Sequence, residues 1–167
     1  MSLSIYQATV PAVLHTLGAL AKILDKAEAF CEARKIEPAV LVNYRLAPDM
    51  FPLSRQIQIT TDQAKGMVAR LTGSEIPGFP DTETSFADLK ARIAKTIDYV
   101  QSFGPEAFDG AEDRAITLKA GPTELNFTGR DYAFKWVFPN FYFHATTTYD
   151  ILRHCGVEVG KRDFLGM

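Results

Sequence analysis

Residues 131–156 read DYAFKWVFPNFYFHATTTYDILRHCG, and this stretch sets the expectation for the whole chain. Val137, Phe141, His144, Thr148, Ile151 and Cys155 recur at alternating steps of four and three, which is the seam of a helix packed against other helices. The helix is expected to run from about Asp131 to Cys155, with Gly156 closing it as a C-terminal glycine. Pro139 falls in its middle, where a proline removes one backbone hydrogen bond and should kink the helix.

Asn140, His144 and Thr148 stand one turn apart on this seam. Polar side chains on a buried stripe cost stability unless each is paired. Two readings follow. One is a polar cavity in which the imidazole binds a metal, moves a proton or holds a small ligand. The other is a core histidine satisfied by a neighbouring carbonyl or glutamine, the commoner outcome for a lone histidine.

Outward from that helix the pattern is mainly helical. Tyr6, Val10, Val13, Leu17, Leu20 and Leu24 give a first amphipathic helix starting near Ser4, and a separate helical piece is expected around Ala27–Lys35. Residues 37–41 read as a short helix with Pro38 in its first turn. From Met50, with Asp49 and Pro52 marking the start, the residues Leu53, Ile57, Thr60, Ala64, Val68 and Leu71 line the inner face of a second long helix that Gly73 ends. Residues 75–84 carry Pro77, Gly78 and Pro80 and are expected to be extended or turned. Ser85 and Asp88 form a capping box for a third long helix, whose stripe is Phe86, Leu89, Ile93, Ile97 and Val100. Between Arg114 and Thr128 the period changes to two around Gly121-Pro122, the pattern of a β-hairpin. The fold class is therefore mainly all-α: one domain over residues 1–167, a four-helix bundle with a small β-hairpin inserted before the last helix.

Composition excludes several functions. The chain has 18 basic and 20 acidic residues among 167, without the clustered basic face that nucleic acid or an anionic membrane surface requires. No segment approaches the roughly 20 apolar residues of a membrane span, and the N-terminal stretch lacks the basic start of a signal peptide. Cys31 and Cys155 stand alone, as expected of structural thiols in a reducing compartment, so the reading is a cytoplasmic protein. No nucleophile elbow, phosphate loop or triad spacing occurs, so the residues name no reaction and whether the chain is an enzyme stays open.

Around the central histidine, Gln56 and Thr60 flank the inner stripe of the second long helix and are candidates to complete a ligand pocket with Asn140, His144 and Thr148. Gln58 and Asp62 lie further round and are expected on a solvated face. His15 is out of phase with its own stripe and should face outward, while His154 follows Asp150 by four residues at a helix end. Phe134, Trp136, Phe138, Phe141, Tyr142 and Phe143 surround the last helix, and a helix apolar on all sides is expected to be central, with one face in a homodimer interface.

The segments LAPDMFPLSRQIQITTDQAKG from Leu46 and PNFYFHATTTYDILRHCGVEVGKRDFLG from Pro139 resemble a bacterial family of uncharacterised domains in the DinB/YfiT-like metalloenzyme superfamily. The likeness extends over nearly the whole chain, through the first helix and the FPDTE linker at residues 79–83. It implies a bundle, often dimeric, with a metal held between helices by one histidine on the second helix and an H-x-x-x-H pair on the fourth. Better-studied members of the superfamily resemble thiol S-transferases and related metal-dependent enzymes. His144 matches the first position of the pair, but Thr148 takes the second, and the second helix has Gln56 or Gln58 where a histidine is implied. A hydroxyl or amide is a poor ligand for zinc or nickel. The expectation is a degenerate metal site whose cavity persists as a small-molecule pocket, with a metal-dependent transferase and a non-enzymatic dimeric module as alternatives.

Overall fold

Ser4 opens the first helix as expected, its hydroxyl accepting from the Gln7 amide while the Gln7 side chain accepts from the Ser4 amide. That reciprocal cap satisfies two amides the helix cannot satisfy internally. In the computed structural model, which describes residues 3–167, α1 runs unbroken over Ile5–Arg34. The separate piece expected at residues 27–35 is thus the end of α1: nothing between Leu24 and Ala27 breaks the helix, and Lys35 stops it in the left-handed conformation at φ 55°. Pro11 lies exposed inside α1 without ending it.

The short α2 (Pro38–Val42) carries proline in its first turn. A turn precedes α3 (Leu53–Thr72), whose cap is Pro52, so it begins later than Met50; Gly73 closes it at φ 74°. Leu53, Ile57, Thr60, Ala64, Val68 and Leu71 are all buried, so the stripe inferred from spacing is the inner face. Ser85 and Asp88 cap α4 (Phe86–Gln101) reciprocally.

The hairpin pairs β1 (Ala115–Ala120) with β2 (Thr123–Thr128) in antiparallel register, Ala120 opposite Thr123. Its two-residue turn needs Gly121 at φ 61°, a conformation most residues avoid. Ile116 and Leu118 face the core and Thr117 and Lys119 face out.

The last helix departs from a simple kink. A single turn, α5 (Gly129–Asp131), leads into a widened turn with π-type i→i+5 spacing over Tyr132–Val137, and regular α-helix resumes as α6 (Phe138–His154). Pro139 has no amide to give and its ring crowds the carbonyl one turn earlier; the wide turn moves that carbonyl away. Asn140 Nδ2 donates to the Trp136 carbonyl at 2.7 Å, meeting an acceptor in the disrupted turn. Gly156 follows α6 at φ 92°. Across the tail, α7 (Lys161–Phe164) returns to the bundle: Phe164 packs on Tyr149 with ring centres 5.8 Å apart, and His15 holds the Leu165 carbonyl at 2.7 Å.

The four long helices α1, α3, α4 and α6 surround one buried cluster that includes Leu17, Leu20, Leu24, Ile57, Met67, Leu89 and Phe141. The architecture is mainly helical with the hairpin before the last helices. Among the described residues no helix is long and apolar enough to cross a membrane.

Linker 75–84 is tied to the bundle by Arg92. Its side chain is only 2% exposed and donates to Thr61, Asp62, Glu83 and the Pro80 carbonyl at 2.7–3.2 Å. Asp81 adds an ion pair at 3.1 Å. Gln58 and Asp62, expected in solvent, are therefore drawn into this network: Gln58 is buried and donates to Glu83, and Asp62 bridges Arg92 and Lys65.

Three substitutions test this packing by urea unfolding. Ser85→Ala should cost about 1 kcal/mol through the lost cap. Arg92→Leu should cost about 1–3 kcal/mol, less than for a fully buried pair because Asp62 and Asp81 remain partly solvated. At Gly129 a Cβ would overlap the Ala111 carbonyl oxygen, so Gly129→Ala should destabilise by about 1–3 kcal/mol through forced displacement.

Candidate functional site

Helices α3 and α6 form the most extensive helix–helix packing in the fold. On α6, Phe141, Ala145, Thr148, Ile151 and Leu152 are buried. His144 lies at the margin of that face and is only half-buried, not on the core-facing stripe its spacing predicted.

The His144 ring is fixed by one contact across the seam. Its Nδ1 lies 2.7 Å from Gln56 Oε1, and the Gln56 amide nitrogen donates to the Phe51 carbonyl at 3.0 Å. With the glutamine amino group committed to a carbonyl, its oxygen must face the ring, so Nδ1 carries the proton and donates. Nε2 is then left with its lone pair. It makes no hydrogen bond among the described residues, and since no buried side-chain nitrogen or oxygen there lacks a partner, Nε2 is not sealed from solvent.

Electrostatics favour the neutral ring. Burial, and secondarily the positive charge of Arg55, lower the His144 pKa from its ordinary value. The Gln56 bond does not oppose protonation, since Nδ1–H donates in either state. Arg55 follows the same helix: its Nη1 donates to Gln58 Oε1 at 3.2 Å and pairs with Asp81, while its guanidinium lies 5.9 Å from the Phe51 ring centre. Phe51 and Phe143 are 54% and 57% exposed, and the Phe143 ring stands edge-on to His144 at 5.2 Å.

Of the five residues expected to form a pocket, the fold brings only His144 and Gln56 together. Thr60 donates to the Gln56 carbonyl at 2.8 Å and Thr148 to the His144 carbonyl at 3.0 Å. Both hydroxyls are spent on their own helices one turn back, a local bond open to any helical threonine. Asn140 is likewise turned onto Trp136. Cavities of about 400 Å³ beside Phe30 and about 310 Å³ beside Phe79 lie elsewhere, and His144 lines neither. The other histidines take no part: His15 is exposed and bound to the tail, and His154 rests 5.7 Å from the Tyr44 ring. Spacing missed Arg55, because its link to the site runs through Phe51 and Asp81, the latter 26 residues away in sequence.

Residues 5–165 match a family described as a domain of unknown function, DUF1993. The chain belongs to the DUF1993 family. A crystal structure of a DinB family member from Shewanella denitrificans is similar to this DUF1993 protein throughout: TM-score 0.88 and 45% identity, over 98% of this chain and 92% of that one. No curated protein matches the chain. The DinB likeness raises the question of a metal, and the donors present do not fit one. Gln56 Oε1 is committed to His144, the Thr148 hydroxyl to a carbonyl, and no group of three His, Cys, Asp or Glu side chains able to hold a metal ion occurs among the described residues. A single imidazole binds a divalent ion too weakly to retain it.

A lowered histidine pKa has a definite consequence for stability. Above the ordinary value of 6.5 both folded and unfolded states hold His144 neutral, and its contribution is flat. As pH falls through 6.5 the unfolded chain takes up the proton first, so stability declines until the folded-state value is passed. Chemical denaturation between pH 7.5 and 5 should show this decline, reduced in His144→Gln. Arg55→Gln removes a repelling charge and should raise the His144 pKa, read from the pH dependence of its Hε1 resonance.

Proposed function

We propose that this DUF1993 protein binds a small, partly apolar molecule through a hydrogen bond to His144 Nε2, without a metal. The observation that carries this reading is the Gln56–His144 contact, 2.7 Å long. It commits the imidazole to one tautomer and leaves a neutral acceptor facing outward. The exposed Phe143 ring beside His144 and the exposed Phe51, whose carbonyl holds Gln56, offer apolar surface near the contact, as expected where a ligand's non-polar part settles. A transferase that depends on a bound metal is disfavoured by the donor set.

The exposure of the same two rings also favours a compatible second reading, self-association through this face. Light scattering on the wild type and on Phe143→Asp tests it: a dimer that the substitution dissociates is the expected result.

Benzyl alcohol carries one donor on an aromatic body and serves as the probe for the first reading. Titrated against the full chain, it should move the His144 Hε1 resonance saturably at millimolar concentration. Gln56→Leu, which frees the ring to turn, should weaken the effect several-fold, and His144→Ala should abolish binding. A resonance that stays in place throughout the titration removes the reading.

A further inference from the structure

The unused side of Arg55 suggests what kind of molecule the site takes. Its Nη1 is committed to Gln58 and Asp81, whereas Nε and Nη2 hold no hydrogen bond among the described residues. Those two N–H groups form the parallel edge of a guanidinium that grips a carboxylate with two bonds. Asp81 and Gln58 hold the group from the opposite side, which orients that edge without using it. Phe51 couples Arg55 to the histidine: its ring lies under the guanidinium at 5.9 Å, while its carbonyl accepts from the Gln56 amide that fixes His144. Arg55 is near enough to the imidazole for its charge to disfavour a proton on His144, which helps keep Nε2 an acceptor.

We infer that the ligand is a small carboxylic acid with a separate O–H or N–H donor: Arg55 takes the carboxylate through Nε and Nη2, and His144 Nε2 accepts from the donor. The apolar portion rests against Phe51 and Phe143. This rests on the reading of His144 as an open acceptor and adds the substrate class. Arg55 acts here as a binding residue, and its half-buried position keeps the carboxylate close to solvent.

The test compares benzyl alcohol with 3- and 4-(hydroxymethyl)benzoate, which differ from it only by the carboxylate. Titrations of the full chain are followed at the His144 Hε1 and Arg55 Nε–Hε resonances. At least one of the acids should bind about tenfold more tightly than the alcohol, the gain expected of a charge-assisted pair. Arg55→Gln should erase that difference, so that acids and alcohol bind it equally. Arg55→Lys keeps the charge but loses the fork, and should recover only part of the gain. If the acids bind no more tightly than an alcohol that still moves His144, this inference fails and the acceptor reading stands. Equal binding of the acids by Arg55→Gln and wild type overturns it as well, and absence of binding by every probe removes both readings.

Discussion

The guanidinium of Arg92 organises more of this protein than any other polar group. A charge so deeply buried is costly unless every N–H is paired and its charge compensated. Here the partners come from three segments: Thr61 and Asp62 on α3, the linker carboxylates Asp81 and Glu83, and the Pro80 carbonyl. Satisfying Arg92 therefore forces linker 75–84 to lie along the bundle. The Phe79 ring is pinned by the same arrangement, with Lys65 and Lys95 nitrogens 4.3 and 4.1 Å from its centre. Consequences reach the candidate site, because the linker's Asp81 also holds Arg55, whose charge adds to burial in disfavouring a proton on His144.

A second constraint comes from Pro139. The proline cannot join a regular helix at its position, and the chain answers by widening the turn before it while keeping helical direction. The widened turn starts at Tyr132, which is buried and accepts a hydrogen bond from Arg70 on α3 at 3.0 Å. That anchor ties the start of the last helix to α3. Further along the same pair of helices, His144 stands within reach of Gln56. The same events remove Asn140 from consideration as a ligand group, since its amide answers to the local backbone.

Much of this was legible in residue spacing. The buried stripe of α3, the capping boxes at Ser4 and Ser85, the hairpin turn at Gly121 and the closing glycines depend on contacts a few residues apart, and such contacts are written in the local order of residues. The threonines show the opposite case. Thr60 and Thr148 occupy inward positions, as their spacing implies, yet inward position says nothing about whether a hydroxyl reaches across the interface or bonds back to its own helix. Both bond back. Gln58 and Asp62 were misjudged because a helix face counts as solvated only until a distant segment covers it, and the linker covers this one.

For this protein, then, the order of residues by itself determined the mainly helical class, the hairpin before the last helices and the presence of a histidine on the helix that resembles a metal-binding one. These follow from periodicity, turn chemistry and residue identity, which need no knowledge of partners. Only the tertiary structure decided that His144 meets Gln56, that its tautomer leaves Nε2 open, and that Arg55 stands by with one edge unused. Those outcomes depend on how closely two helices approach and on where a ten-residue linker is drawn. Neither is written in residue spacing: the buried charge of Arg92 draws the linker in, and Gln56 meets His144 across 88 positions of sequence.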